Sequence, residues 1–246
     1  MSMKPPATTT GTRPGTNQAT PPYNYDRFKA SDYELVDFPG PKVGEAVPDF
    51  EARDPTGKVV RLSDFMGQVV VIETGSVTCP MYVRGIPAMQ RLRERHPEVV
   101  FAVLYVREAH PGERRRGHRD DADKAKAVEQ LLACEPEGRQ IWIDDVDGSA
   151  HASLGSYPNM HYIIGRDGRV RFRSDWANTK VLEQVLAGTA NEAMLRRDHH
   201  SPSKPAPIVA LRTLFRGGWL GIWDFVLGLP NLILQHRRAN RAVPDK

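Results

Sequence analysis

The sequence predicts an α/β fold in which a central mixed sheet is flanked by helices. Two β-branched runs, VVVIET at residues 69–74 and VVFAVLYV at residues 99–106, have the composition of strands buried on both faces. A segment with helical spacing of apolar residues follows each run before the next apolar run begins. Strands that alternate with helices in this way predict a largely parallel sheet.

The remaining elements complete one topology. The segment VPDFEARDPTGKVVRLSDF has an Asp-Pro-Thr-Gly turn between two short extended runs, which indicates an N-terminal hairpin. A helix begins near Cys79, and QIWIDD at residues 140–145 is a third strand. HYIIGRDGRVRFRS predicts two strands joined by an Asp-Gly turn, and KVLEQVLAG predicts a closing helix that ends at Gly188. The order β-α-β-α-β-β-α behind a hairpin is that of the thioredoxin fold.

Composition divides the chain into three parts. Residues 1–42 form a polar leader that we expect to be disordered or irregular, residues 43–190 form the thioredoxin-like domain, and residues 191–246 form a linker and a basic C-terminal segment. The leader lacks the apolar run of a Sec signal peptide, so we expect a cytoplasmic protein. Two cysteines in 246 residues exclude a disulfide scaffold and fit a reducing compartment.

The C-terminal segment is dense in Leu, Ile, Phe and Trp between residues 206 and 235. Charges and a proline interrupt it, so its apolar runs are shorter than the ~20 residues of a membrane span. Two interpretations have equal weight. Residues 206–238 attach the protein to a membrane surface, or they form a pair of helices packed on the domain or on a second subunit in a homodimer.

Charge is placed unevenly along the chain, which carries a formal net charge of +4. From Arg196 onward nine Lys or Arg face three Asp or Glu, so this part alone carries +6. Such a basic segment fits an anionic surface, either lipid or nucleic acid. The run Arg114–Arg116 has no interleaved aromatic residues for base stacking, and we expect no nucleic-acid partner.

Cys79 is the candidate nucleophile, because it lies where a buried strand passes into a helix. The helix N-terminus, with Pro80 in its first turn, favours the thiolate and predicts a lowered pKa. Ser76 and Thr78 place hydroxyl groups nearby. The alternative is that Cys79 is a buried apolar side chain without reactivity, the usual state of a free cysteine.

The oxidised sulfur would need a second thiol. Residue 82 is Tyr, so there is no Cys-x-x-Cys motif. Cys134 is a candidate resolving thiol, and an external reductant such as a thioredoxin or glutathione system is at least as well supported. We expect no bound cofactor and no metal.

Pro158 lies immediately before a strand, where the thioredoxin fold keeps a cis-proline facing the reactive cysteine, and we expect the Tyr157–Pro158 bond to be cis.

Three stretches together resemble the iodothyronine deiodinases: GSVTCPMY, the strand ending in YVREAHPGE, and IDDVDGSAHASLGSYPNMHYII. The upstream stretch VGEAVPDFEARDPTGKVVRLSDF resembles the opening of redoxin and peroxiredoxin domains, and is less specific. The deiodinase resemblance spans about residues 65–190. It implies a thiol-dependent oxidoreductase that reductively removes a halogen from an aromatic small molecule, with Cys79 in the place of selenocysteine.

The resemblance also implies roles for residues around Cys79. Cys79 would attack the halogen, with Ser76 and Thr78 as its hydrogen-bonding neighbours. The residues that line the substrate site or move protons would be Tyr105, Glu108, His110, His118 and Pro158. The chemistry is reasonable, because a histidine oriented by a carboxylate suits protonation of the departing aryl carbanion.

One departure from the family bears on the substrate. The family keeps an arginine just after the Pro158 region to clamp a substrate carboxylate, and this chain has Met160 there. Loss of the guanidinium removes bidentate recognition, unless a residue of Arg114–Arg116 substitutes for it. This difference puts thyroid hormone in doubt as the substrate.

Two other functions stay open from the sequence. A one-cysteine peroxiredoxin-like peroxidase fits the redoxin-like opening and Ser76, three residues before the cysteine, although position 72 is Ile where those enzymes have proline. A non-catalytic thioredoxin-like binding module, tethered by its C-terminal segment, predicts an unreactive Cys79 of high pKa.

Overall fold

The computed structural model describes residues 23–32, 38–176, 178–195 and 205–242. These residues form one mixed sheet of seven strands. The strands are β1 (Glu51–Arg53), β2 (Val59–Arg61), β3 (Val69–Gly75), β4 (Val99–Tyr105), β5 (Gln140–Ile143), β6 (Met160–Ile164) and β7 (Val170–Asp175). Their order in the sheet is β2-β1-β5-β4-β3-β6-β7. The strands β3, β4 and β5 are parallel, and the other pairs are antiparallel.

Helices flank the sheet, and the predicted thioredoxin-like fold is confirmed. The predicted elements are all present, and two short α-helices, Ser149–Ser153 and Glu192–Leu195, are additions to them. The helices are α1 (Pro80–Arg95), α2 (Asp121–Cys134), α3 (Ser149–Ser153), α4 (Thr179–Leu186), α5 (Glu192–Leu195), α6 (Pro207–Gly217) and α7 (Trp219–Ala242). Among the helices of the described residues, none has the length and apolar character to cross a membrane.

Part of the predicted N-terminal leader packs on the domain. Phe28, Ala30 and Phe38 are buried in the same hydrophobic cluster as Ile72 of β3. The prediction of disorder for residues 1–22 lies outside the described residues, and the boundaries at residues 42 and 190 stay predictions.

The carboxyl ends of β3 and β4 lie side by side. The two strands are parallel and in register, so Gly75 is opposite Tyr105. The loops that follow these two strands therefore lie side by side at the edge of the sheet. They are residues 76–79 and residues 106–110. A Cβ on Gly75 would lie 2.4 Å from the ring of Tyr82, so only glycine fits there without displacing that ring. This close approach puts the first turn of α1 directly beyond the end of β3.

The expected cis bond before Pro158 is absent, and no described peptide bond is cis. The chain instead reverses at Gly155 and Ser156, where φ is 101° and 58°. Asn159 then anchors the segment to β3, because its Nδ2 donates to the Thr74 carbonyl oxygen at 2.7 Å. Because the chain has already reversed at these two residues, it enters β6 with the Tyr157–Pro158 bond trans, which is the lower-energy isomer.

The C-terminal helices pack on the domain, which was one of the two arrangements that the sequence left open. Arg216 of α6 pairs with Glu135 at the end of α2, and its Nη1 donates to the Val77 carbonyl oxygen at 3.2 Å. The first two backbone N–H groups of α7 donate to the Glu113 carboxylate at 2.6 and 2.9 Å. These contacts join both helices to loops that carry the candidate site.

A series of buried charged groups connects the sheet to α1. Arg139 Nη1 lies 2.5 Å from Glu73 Oε2, and both side chains are fully buried. Glu137 accepts from Arg139 Nη2 at 2.6 Å and from the Tyr82 hydroxyl at 2.7 Å. Burial raises the pKa of Glu73, but Arg139 and then His161 outweigh it and lower that pKa to about 2. The carboxylate therefore stays ionised inside the protein.

We expect Arg139→Met to lower the free energy of unfolding by roughly 3–5 kcal/mol, because two buried carboxylates lose their cation. Urea unfolding followed by circular dichroism measures the effect. Arg91→Met is the matched control, since Arg91 is exposed, and its effect should stay within about 0.5 kcal/mol. Equal losses in the two variants would contradict the structural role of the buried network.

Candidate active site

Cys79 is the residue that precedes the first turn of α1, at the position where the sequence predicts it. Its backbone N–H donates to the Ser76 carbonyl oxygen at 3.0 Å, and its own carbonyl accepts from Val83 N at 3.0 Å. The first bond closes a turn of residues 76–79, and the second begins the helix. Pro80 follows in the first turn, where its missing N–H costs nothing.

The predicted lowering of the Cys79 pKa is wrong. Burial of the thiol raises its pKa to about 11. The backbone N–H groups of Tyr82 and Met81, at the helix N-terminus, act in the opposite direction but are weaker than desolvation. The thiol of this structure is therefore protonated at neutral pH.

Glu108 is the centre of the polar part of the site. Its Oε2 accepts from the Thr78 hydroxyl at 2.5 Å, and its Oε1 accepts from the Tyr105 hydroxyl at 2.6 Å. His118 Nε2 lies 3.2 Å from the same Oε1, and both side chains are fully enclosed. Burial raises the pKa of Glu108, and contacts led by His118 outweigh it, so the net pKa is lowered. One carboxylate thus joins the turn before Cys79 to the end of β4 and to the loop that precedes α2.

The hydroxyl groups of Ser76 and Thr78 contact the neighbouring loop rather than the thiol. Ser76 Oγ accepts from Ala109 N at 3.1 Å. Thr78 Oγ1 donates to Glu108 and accepts from His110 N at 3.2 Å. The expectation that these side chains are hydrogen-bonding neighbours of Cys79 is therefore corrected, because they tie together the two loops that leave β3 and β4.

His110 lies between two aromatic rings. Its ring centroid is 4.5 Å from that of Phe28 and 5.3 Å from that of Phe225 in α7. Burial lowers its pKa to about 4, with Glu108 acting in the opposite direction. Its buried Nδ1 has no hydrogen-bond partner among the residues that the structure describes. His110 is therefore neutral at pH 7 and has an uncommitted ring nitrogen.

An apolar cavity of about 240 Å³ brings Cys79 and His110 together. Its walls come from the domain, from the N-terminal segment and from the C-terminal helices. No Lys, Arg, Asp or Glu is among its described lining residues. They are Phe28, Cys79, Pro80, Met81, Ala109, His110, Pro158, Trp176, Pro205, Ala210, Phe225, Leu229, Leu232, Ile233 and His236.

The residues predicted to bind substrate fall into two groups. Pro158 lines the cavity beside Cys79. Tyr105 and His118 are buried behind Glu108 and are not among the cavity's lining residues. Met160, where the family has its arginine, is fully buried in the main hydrophobic cluster.

The arginines that were candidates to replace a clamp lie elsewhere. Residues 114–116 line a separate cleft together with His118, and they are not among the described lining residues of the apolar cavity. Arg114 is stacked on Phe215, with its guanidinium carbon 3.9 Å from the ring centroid. The described site therefore presents no guanidinium to a substrate carboxylate.

Cys134 is separated from the cavity. It is the last residue of α2 and is exposed, whereas Cys79 is buried. Cys134 is not among the cavity's described lining residues. Its role as a resolving thiol stays a prediction.

Sequence reasoning missed the cavity wall that α7 provides. Phe225, Leu229, Leu232 and Ile233 recur at helical spacing, which was the available signal. That spacing was visible but did not indicate which surface the helix covers. Trp176 and Phe28 were missed because each lies far from Cys79 along the chain.

Curated relatives of this chain are deiodinases. It is 29% identical to thyroxine 5-deiodinase of Sparus aurata over 126 residues, which cover 46% of each protein. It is 27% identical to type II iodothyronine deiodinase of Rattus norvegicus over 143 residues, which cover 51% of this chain and 53% of that protein. The chain thus spans about half the length of the curated relatives it matches.

Solved structures support the fold, and a family model supports the family. A structure described as a thiol:disulfide interchange protein, DsbE, from Chlorobium tepidum superposes with a TM-score of 0.50 at 20% identity. That superposition covers 61% of this chain and 99% of the other. The model of the iodothyronine deiodinase family matches residues 29–180, more than half of the chain. This protein therefore belongs to the iodothyronine deiodinase family.

Proposed function

We propose that this protein is a thiol-dependent oxidoreductase that reductively dehalogenates an aromatic small molecule, with Cys79 as the nucleophile. The observation that carries the proposal is that Cys79 and His110 line the same apolar cavity. Glu108 lies behind them and is bound to Thr78, Tyr105 and His118. The thiol supplies the nucleophile, the imidazole is placed to relay a proton, and the buried carboxylate holds the loops that carry both residues.

In the proposed reaction the Cys79 sulfur attacks the halogen of the bound ring. A sulfur–halogen bond forms, the carbon–halogen bond breaks, and its electron pair stays on the ring carbon, which takes a proton. Because the Cys79 thiol is protonated at neutral pH, its proton passes to the ring carbon as the sulfur–halogen bond forms, and His110, which lines the same cavity, is the group placed to relay it. Glu108 holds the loops that position these two residues.

An external dithiol completes the cycle. Its first thiol displaces halide from the sulfenyl halide and forms a mixed disulfide with Cys79. Its second thiol releases the Cys79 thiol and leaves the reductant as a disulfide. One aryl halide and one dithiol thus give one arene, one disulfide and hydrogen halide. A thioredoxin or glutathione system is the proposed cellular reductant.

The cavity's chemistry favours an uncharged, lipophilic substrate. Its described lining carries no Lys or Arg, and burial lowers the pKa of its two histidines, His110 and His236, so a substrate carboxylate would be buried there without a cationic partner. An iodinated phenol fits this lining better than an iodinated amino acid. The substrate class proposed here is therefore a halogenated aromatic molecule without a carboxylate in the cavity.

Each of the two alternative functions has less support than reductive dehalogenation. A peroxidase would use Ser76 beside its cysteine, but the Ser76 hydroxyl is bound to Ala109 N. A non-catalytic binding module agrees with the raised pKa of Cys79, yet it gives no reaction to Cys79 and His110, which line the same cavity. Reductive dehalogenation uses both the cavity and the network.

The first test measures iodide release from 4-iodophenol and from iodotyrosine by the reduced protein with excess dithiothreitol. Wild type should release iodide faster from 4-iodophenol than from iodotyrosine. Cys79→Ser should release iodide at least about 100-fold more slowly than wild type, because it lacks the nucleophile. Glu129→Gln, at an exposed position of α2, is the control and should keep the rate. Cys134→Ser tests the resolving role of Cys134, because a lowered rate would support that role. Cys79-dependent loss of hydrogen peroxide without iodide release would support the peroxidase instead.

The second test concerns Glu108. Glu108→Gln keeps the size of the side chain but removes the charge that holds His118 and the Thr78 hydroxyl. We expect kcat for iodide release to fall about 100-fold with a smaller change in KM. Glu129→Gln, at an exposed position of α2, is the control. If Glu108→Gln has wild-type kcat, Glu108 does not position the reacting groups.

The third test checks that His110 is neutral. Its pKa of about 4 in the folded protein lies below the ordinary value of 6.5, so the unfolded chain binds more protons between these two values. The stability contributed by neutral His110 is present above pH 6.5 and is lost as pH falls toward 4. Wild type should therefore lose about 2 kcal/mol more than His110→Gln between about pH 7 and about pH 5, measured by urea unfolding at each pH. Parallel losses in the two proteins would show that His110 is not held neutral.

A further inference from the structure

One face of α7 is an exposed apolar stripe. Trp219, Trp223, Leu227 and Leu234 are 66%, 60%, 62% and 53% exposed. Val226 and Pro230 are also exposed and lie between them, so the spacing is that of one helix face. From residue 219 to residue 238 this face extends for about 30 Å at the α-helical rise. An exposed apolar area of this extent marks an interaction site.

The opposite face of α7 is held by the N-terminal segment that packs on the domain, so the stripe cannot turn inward. Asp224 accepts two hydrogen bonds from Arg27, each at 2.6 Å. One turn further, a Cβ on Gly228 would lie 3.0 Å from the Phe28 ring. Near the end of the helix, Gln235 Nε2 donates to the Ala30 carbonyl oxygen at 2.8 Å. These contacts fix the rotation of α7 and leave the apolar stripe facing outward.

The charges on the stripe indicate an anionic partner. Arg237 and Arg238 are exposed and continue the stripe at its C-terminal end. The only acidic residue between positions 205 and 238 is Asp224, which is paired with Arg27. A second copy of the same stripe would therefore bring no carboxylate to these arginines. Lipid phosphates and the apolar region beneath them match both the arginines and the tryptophans.

We propose that the outward face of α7 docks on an anionic lipid membrane. Trp219, Trp223 and Leu227 enter the boundary between headgroups and acyl chains, while Arg237 and Arg238 bind lipid phosphates. The helix lies parallel to the surface, with the domain above it. This inference concerns a surface outside the reacting groups and does not depend on the proposed reaction.

The docking surface is continuous with the cavity that contains Cys79. Leu229 and Ile233 line that cavity and are also 39% and 43% exposed at the edge of the stripe. Docking would place this edge against the lipid. A lipophilic ligand dissolved in the membrane would then reach the cavity past these two side chains without crossing water.

The test is flotation of the full chain with vesicles of phosphatidylcholine, with and without phosphatidylserine. Binding should be stronger with phosphatidylserine and should weaken with added salt. Trp223→Glu combined with Leu227→Glu should abolish flotation with either vesicle. Arg237→Gln combined with Arg238→Gln should reduce binding to the phosphatidylserine vesicles by at least about tenfold, and should change binding to pure phosphatidylcholine little.

Met66→Glu is the matched control, because Met66 is an apolar residue outside α7 that is 57% exposed. Circular dichroism confirms that each variant is folded. Flotation that is absent in wild type, or unchanged in Trp223→Glu/Leu227→Glu, overturns the proposal. A lipid-free dimer in sedimentation velocity that this double variant dissociates, without vesicle binding, assigns the surface to a second copy instead. Iodide release is not read in this experiment, so its result is separate from that of the proposed reaction.

Discussion

The candidate site depends on one buried carboxylate. Glu108 accepts hydrogen bonds from side chains on the loop after β3 and on the end of β4, and it contacts His118 from the segment before α2. A buried carboxylate is costly unless its oxygens are satisfied, so these partners and the carboxylate constrain each other. The parallel register of β3 and β4 makes the arrangement possible, since it brings the two loops out of the sheet side by side. The positions of Cys79 and His110 follow from this single set of contacts.

Desolvation decides the protonation states in the cavity. The N-terminus of α1 favours the Cys79 thiolate, but removal of water from around the sulfur is the stronger effect, and the thiol stays protonated. The same loss of water keeps His110 neutral. Cys79 and His110, which both line the cavity, are therefore uncharged at rest, while the charge of the site is kept on Glu108. Such a site suits a reaction in which the proton moves during the chemical step rather than before it.

The C-terminal helices give the domain its apolar cavity. Without α7, Cys79 would lie at the open edge of the sheet, as the carboxyl ends of parallel strands do in open α/β folds. Arg216 contacts the Val77 carbonyl and Glu113 binds the start of α7, so these helices are attached to the site loops themselves. One helix thus has an inner face that shapes the cavity and an outer face that remains apolar and exposed.

The sequence by itself determined the order of strands and helices and the position of Cys79 at the start of α1. These features depend on periodicity and on neighbours a few residues apart, which a sequence displays directly. The importance of Glu108 and His110 came from the resemblance to the deiodinases. Only the tertiary structure decided that Ser76 and Thr78 bond to the neighbouring loop, that the bond before Pro158 is trans, and that the thiol is protonated. Hydrogen-bond partners and desolvation depend on segments distant in the chain, and the wall that α7 builds over Cys79 comes from residues about 150 positions away. No local pattern around Cys79 contains that information.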